Sequence, residues 1–353
     1  MKYAGIRVLL ILLITVQFSQ ADVDIENSKA DRFTLSTYIR MRFSEFGGAL
    51  TIPDRSFSIE SAGFTADFKI SREINGQLQL ETRPDNIFIK DCYVLWDAFD
   101  FLSVRAGRFK KPFCLNTLTS TRNLQTVNHS ITHRKLSNLL YSGRDIGSVF
   151  ILDPGISGLP ELSLGIFNGS PDPVNQDNEI QYAARAEFDL PAGITIGTDF
   201  TSLRFGEEDY ETPDAYTVSE RQTAFGGDMQ FETEFSNEFS LLLRSEFIRG
   251  DNWAAANVIT GDAAPGFQTW WFTGGINWKI DKPSLENISA AVSLASWKPD
   301  RTVDSREDEL AVTLTFDTGT PLTVRIAALN HRPHNILFEV DRTDYILEAA
   351  LDL

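Results

Sequence analysis

Between residues 101 and 144 the chain carries eight basic side chains and no Asp or Glu. They are Arg105, Arg108, Lys110, Lys111, Arg122, Arg134, Lys135 and Arg144. Acids outnumber bases 49 to 32 over the 353 residues, so an acid-free stretch of this length stands out. Cations gathered without counter-charges suit weak, reversible attraction of small anions, not bond-making chemistry. The four histidines, His129, His133, His331 and His334, fall in expected outer loops, and no HExxH or CxxC spacing accompanies them. A metal centre needs three or four converging ligands, so no metal site is expected. Residues 165–169 hold two glycines but no G-x-G-x-x-G or Walker pattern, so neither a nucleotide nor any other cofactor is called for. Cys92 and Cys114 could pair in an oxidising compartment, but two unpaired packing residues are the simpler expectation.

The elements that must position these cations follow from export and period. Net charge is −17, which argues against nucleic acid as a partner, because neutralising phosphates needs a basic surface. Lys2 and Arg7 precede an apolar run over residues 8–16, and Ser19 and Ala21 are small residues at the −3 and −1 positions of a cleavage site. That layout predicts a signal peptide over residues 1–21, too short for a lasting membrane helix, and a single domain over residues 22–353. Removing residues 1–21 takes away two bases and no acid, leaving −19.

Beyond residue 21 the dominant period is two. Phe33, Leu35, Ile39, Met41 and Phe43 alternate with Thr34, Ser36, Tyr38, Arg40 and Arg42, and Phe225, Met229, Phe231 and Phe235 alternate with Asp228, Gln230, Glu232 and Glu234. Such dyads give each strand one apolar and one polar face. Sixteen runs are expected, near 33–43, 57–70, 76–83, 88–97, 101–109, 144–152, 160–168 and 180–190, then 193–204, 222–234, 238–249, 268–280, 286–298, 308–317, 321–331 and 342–353. Short turns such as 98–100 and 318–320 alternate with mostly longer polar connections such as 44–56, 110–143 and 205–221. Strands of about ten residues with this alternation predict an antiparallel transmembrane β-barrel of sixteen strands, in contact with outer-membrane lipid. A soluble β-sandwich would have no reason to keep long and short connections in strict rotation. The final run ends on alternate apolar residues, Tyr345, Leu347, Ala349, Leu351 and Leu353.

A barrel of this size leaves a channel too wide to discriminate small solutes. The longest connection, the third on the long-loop end, is therefore expected to fold into the lumen and set ion preference. Arg105 is the best single wall residue: the opposite register would place it in lipid at a cost of roughly 2–4 kcal/mol. Arg108 has the wrong parity for a continuous strand and is expected at the rim or past a bulge. Acids at polar-face positions, Glu187, Asp189, Asp199, Asp228, Glu232, Glu234 and Glu246, suggest an acidic wall facing the basic loop across the pore.

Several pieces, in order and spacing, resemble the phosphate-selective porin O and P family. They are Lys90-Asp-Cys-Tyr-Val94, Arg105-Ala-Gly-Arg-Phe-Lys-Lys-Pro-Phe113, Gly143-Arg-Asp-Ile-Gly147 and Gly165-Ile-Phe-Asn-Gly-Ser170. The resemblance implies a homotrimeric outer-membrane porin that passes small anions, in some members phosphate or polyphosphate. Arg108 and Lys110 match the family's Gly-Arg-Phe-Lys element, and Arg144 and Asp145 match its Gly-Arg-Asp element and are expected to brace the base of the loop. The family's arginine ladder has no residue-by-residue counterpart here, and acidic loop runs at 207–209 and 307–309 stand against phosphate specificity. A general or cation-preferring porin, a barrel-borne outer-membrane hydrolase and an exported carbohydrate-binding β-sandwich are the competing readings at this point.

Overall fold

The computed structural model describes residues 32–47, 55–83, 86–156, 158–170, 175, 179–204, 221–255, 264–336 and 341–353. The expected signal peptide and the acidic run at 207–209 lie outside these residues. Sixteen strands form one closed antiparallel barrel, each paired with its neighbours in sequence and the first with the last. They are β1 (Arg32–Gly47), β2 (Arg55–Lys69), β3 (Ile74–Arg83), β4 (Asn86–Phe99), β5 (Leu102–Lys110), β6 (Arg144–Leu152), β7 (Glu161–Phe167) and β8 (Gln181–Leu190). The second half is β9 (Ile194–Leu203), β10 (Gln222–Glu234), β11 (Phe239–Asp251), β12 (Gly266–Lys282), β13 (Leu285–Lys298), β14 (Arg306–Asp317), β15 (Leu322–His334) and β16 (Arg342–Asp352). Closure leaves no strand edge with unpaired N–H and C=O groups, the condition a hydrocarbon layer imposes.

The expected dyads become two faces. In β1, Ile39 and Met41 are 40% and 52% exposed, while Tyr38 and Arg42 on either side of the pair are buried. The same holds in β14, where Leu310, Val312 and Leu314 face out and Glu309, Ala311 and Thr313 are buried. A continuous apolar outer surface is stable only against lipid. The seam is regular: Met41 opposes Ala349 and Phe43 opposes Leu347, and Thr37 and Leu353 exchange backbone hydrogen bonds of 2.6 and 2.7 Å. Hydroxyls close the short turns, as where Ser71 Oγ accepts the N–H groups of Glu73 and Ile74, each at 3.2 Å.

His331 and His334, expected in an outer loop, instead belong to β15, which runs on to His334. Two residues only separate β3 from β4, so the long-loop end is not uniformly long.

Candidate functional site: a cation-lined cavity bounded by the β5–β6 segment

Residues 111–143 join β5 to β6 and contain two α-helical pieces, α1 (Leu115–Leu118) and α2 (Ile131–Asn138), with a 3-10 turn at Thr121–Asn123 between them. Their apolar side chains cannot stay in water, and they share one cluster with the barrel wall. Phe113, Cys114, Leu115, Ile131, Leu136, Leu139 and Tyr141 pack with Leu203, Ala224, Ile248, Phe267 and Trp271 of β9–β12 and with Ala295 and Trp297 of β13. Farther along, Val127 packs on Ala327 of β15 and Ile346 of β16.

Carboxylates on the polar faces of the strands hold the segment's backbone. Glu246 accepts the N–H of Leu115 at 2.6 Å and of Asn116 at 3.4 Å, together with Trp271 Nε1 at 2.5 Å. Asp199 accepts the N–H of Cys114 at 3.1 Å, where φ of +71° turns the chain. Glu309 accepts the N–H of Ile131, the first residue of α2, at 3.1 Å. An acid at a helix N-terminus satisfies an orphan donor and the helix dipole together. The acids expected to face the basic loop across open space therefore include two, Asp199 and Glu246, that lie against its backbone. Arg185 neutralises the group next to them, with Nη1 2.7 Å from Asp199 and 2.6 Å from Asp228. Asp199, Asp228 and Glu246 bring carboxylate oxygens within 4.8 Å of one another, and the guanidinium bridges the first two.

On the other side of the segment lies a cavity of about 810 Å³. Its lining includes Thr117, Leu118, Ser120, His129 and His133 from the segment. Its basic side chains are Arg40, Arg83, Lys90, Arg105, Lys110, Arg122, Arg144 and Arg325, against Asp67, Asp91, Asp317 and Asp352. Most of these cations are paired. Lys90 meets Glu81 at 2.5 Å, and Arg144 grips Asp91 in a two-pronged contact of 3.0 and 2.9 Å. Arg122 lies 3.7 Å from Asp352 with its guanidinium 5.1 Å from the Tyr38 ring centre, and Arg325 lies 3.4 Å from Glu348. Two differ. Arg105 stands over Tyr93 and Phe109 at 4.9 and 5.4 Å, and Lys110 Nζ donates to the carbonyls of Leu118 and Thr119, each at 3.1 Å. Neither has a carboxylate within ion-pair distance among the described residues.

The remaining cations expected at a constriction fall elsewhere. β5 runs without a bulge of its own in its pairing with β6, so Arg108 takes the outward parity opposite exposed Cys92 and donates to the Ile89 carbonyl at 3.1 Å. Of the two placements expected for it, the one past a bulge is therefore corrected: Arg108 keeps the outward parity and does not line the cavity with the anion-attracting cations. Gly107 permits this course: at φ +134° it lies where a Cβ would come within 2.2 Å of the Cys92 carbonyl. Lys111 is also corrected: it is buried, bonding Leu140 O at 2.6 Å and Gln181 at 2.7 Å, with Asp145 at 3.6 Å. Burial lowers its ammonium to about 8. Arg134 is spent on Glu309 at 2.7 Å and Lys135 on Glu307. Arg144 and Asp145 do not pair with each other; Asp145 accepts the N–H groups of Ile146 and Gly169, at 2.7 and 2.9 Å.

Arg40, Arg83, Lys90 and Arg325 were not foreseen. Arg40 and Arg325 occupy polar positions of dyad strands, and a charged side chain there must avoid lipid. What no single strand reveals is that ring closure sets β15 and β16 beside β1–β4.

His129 and His133 stack with ring centres 4.2 Å apart, and Thr117 Oγ1 lies 2.8 Å from His133 Nδ1. Burial, with Lys110 nearby, lowers His133 to about 4; burial, with His133 beside it, depresses His129 further. Both thiols are free; Cys114 is buried 3.3 Å from Glu246, which with desolvation raises its thiol well above the usual range.

Residues 15–208 match the family described as phosphate-selective porin O and P. No curated protein matches the chain by sequence. Among solved structures, the chain is similar to the outer-membrane channel DcaP of Acinetobacter baumannii, at 10% identity and a TM-score of 0.63, covering 93% of this chain and 99% of that one. An anion-selective porin from Comamonas acidovorans is similar at 9% identity and a TM-score of 0.59, covering 91% and 99%. In-vitro folded OmpT of Vibrio cholerae, solved in a trimer form, is similar at 7% identity and a TM-score of 0.58, covering 91% and 99%. Identities this low carry the fold alone.

Proposed function

Because this chain belongs to the phosphate-selective porin O and P family of outer-membrane channels, we propose that it is an anion-preferring porin whose β5–β6 segment narrows the lumen. The observation that carries the proposal is the cavity lining, with eight bases against four acids. Within it Arg105 and Lys110 have no carboxylate within ion-pair distance among the described residues. Of the four lining acids, Asp91 is held by Arg144 and Asp352 lies 3.7 Å from Arg122, while Asp67 accepts from Gln77 and Asp317 from Thr323.

In this reading a hydrated anion entering the narrowed lumen meets Arg105 and Lys110 and passes between weak contacts. Binding must be strong enough for entry and weak enough for release, which charges exposed to water provide. Phosphate, with its charge spread over several oxygens, can engage a planar guanidinium through two parallel bonds. Arg105 and Arg122 are the guanidinium groups this reading assigns to such contacts. It also assigns residues 1–21 to a cleaved signal peptide and the assembly to a homotrimer.

The test is planar-bilayer recording of refolded protein under a KCl gradient, repeated with added phosphate. A reversal potential on the chloride side with phosphate block is expected. A reversal potential on the potassium side would overturn the anion reading while leaving the channel.

A further inference from the structure

We propose that the outer surface of β11–β15, at the long-loop end, is a binding site for a phosphorylated glycolipid of the outer leaflet. The registers stack this surface in rows. Phe247, Trp270, Ser296, Asp308 and Arg332 oppose one another in succession across the five strands. Toward the barrel's middle the next row is Ser245, Phe272, Leu294, Leu310 and Asn330. Toward the loops, Arg249 opposes Gln268, Gln268 opposes Lys298, and Arg306 opposes His334. Outward side chains therefore change from apolar (Phe247, Trp270, Leu294, Leu310) to polar or basic (Arg249, Gln268, Lys298, Arg306) within two to four residues along β11–β14, at the level where acyl chains give way to headgroups.

A groove of about 560 Å³ lies along this boundary. Trp270, Leu294 and Leu310, each 36–40% exposed, form its apolar part, and Arg306, Arg332 and His334 form its basic part. Of the two carboxylates on its lining, Glu309 is paired with Arg134, and Asp308 organises the basic part: it lies 3.0 Å from Arg306 Nε and 3.1 Å from His334, and accepts from Ser296 Oγ at 2.6 Å. Arg332 Nε donates to Asn330 at 2.6 Å. Both guanidinium groups are thus fixed through Nε, and their terminal nitrogens have no partner among the described residues. Two held guanidinium forks beside an exposed tryptophan suit a phosphate joined to a sugar, with acyl chains lying down the apolar rows. A chain of net charge −17 has little reason to gather bases here except for an anionic partner. Long connections of such barrels face the cell exterior, which places the patch against the outer leaflet.

The experiment measures binding of bis-phosphoryl lipid A to the refolded full-length protein in detergent, by native mass spectrometry, with competition by phosphatidylethanolamine and phosphatidylglycerol. Lipid A is expected to bind in preference to both, and Arg306→Gln with Arg332→Gln together to weaken it at least tenfold. Channel conductance of that double variant reports its folding, since both residues lie outside the cavity. An unchanged affinity in the double variant would overturn the site. So would equal binding of phosphatidylethanolamine by the wild-type protein, a measurement that needs no variant. Equal competition by phosphatidylglycerol would overturn the glycolipid assignment in favour of any anionic lipid.

Discussion

The Glu246 carboxylate of β11 holds the Leu115 backbone N–H at 2.6 Å, tying two residues 131 positions apart. The same carboxylate serves Trp271 and Asn116, so its loss strands several donors at once. Each buried donor left without a partner costs about 1–3 kcal/mol. Glu246→Ala is expected to loosen residues 114–116 from the wall, raising single-channel conductance and noise and lowering the temperature of the gel-mobility shift. Glu246→Gln keeps an acceptor oxygen and is expected to fall between. Unchanged conductance in Glu246→Ala would show that the segment does not limit the pore.

Arg185 is the buried cation between Asp199 and Asp228. Removing one partner of a buried ion group leaves uncompensated charge and costs about 3–5 kcal/mol. Arg185→Ala is expected to cut the yield of folded barrel severely in a refolding assay, where Arg134→Ala, at a half-exposed pair, barely changes it.

Selectivity separates the free cations from the engaged ones. A unit charge acting at about 4 Å through water is worth ~1 kcal/mol, and such a difference is about fivefold in a ratio. Arg105→Gln and Lys110→Gln are each expected to lower the anion-to-cation permeability ratio by up to that factor, read from reversal potentials. Arg108→Gln, facing outward, is expected to leave the ratio unchanged.

Acid should act on the histidine pair. His133 sits in the folded protein at about 4, below its ordinary value of 6.5, because burial disfavours the imidazolium and Lys110, Arg134 and Arg144 add to it. The unfolded segment then binds more protons than the folded one between these values. Stability from keeping the ring neutral is complete above pH 6.5 and is lost as pH falls toward 4. His133→Asn is expected to flatten the wild-type decline in thermal stability across that window, measured as the difference between the two proteins.

Cysteine labelling gives an independent check on the two faces. Cys92 is exposed and Cys114 buried with its thiol raised. A maleimide in detergent is expected to add one group to the folded protein, at Cys92, and two after denaturation without reductant.

The barrel was legible in the sequence because its strand period has one physical cause, lipid on one side and water on the other. Arg105 was legible for the same reason, since parity alone decides whether an arginine meets hydrocarbon. Partner choice was not. Arg134 and Lys135 read as free cations until the register of β14 sets Glu309 and Glu307 beside them. Arg144 and Asp145 are adjacent in sequence, yet one turns to Asp91 of β4 and the other to the start of β7–β8 and to Lys111. Asp199 and Glu246 read as pore-facing acids, because nothing local says that the backbone of a segment over 80 residues away will reach them. Pairings across that distance are products of closure, which one strand's pattern does not encode.

The β1–β16 seam also bears on how the molecule is made. Arg42 and Glu348 meet at 2.7 Å across 306 positions, and the strand synthesised first completes its pairing only with the strand synthesised last. Every shorter folding intermediate carries two open edges, each able to recruit another chain. Contacts so distant form slowly, so until the seam closes the open edges leave the polypeptide prone to pairing with other copies of itself.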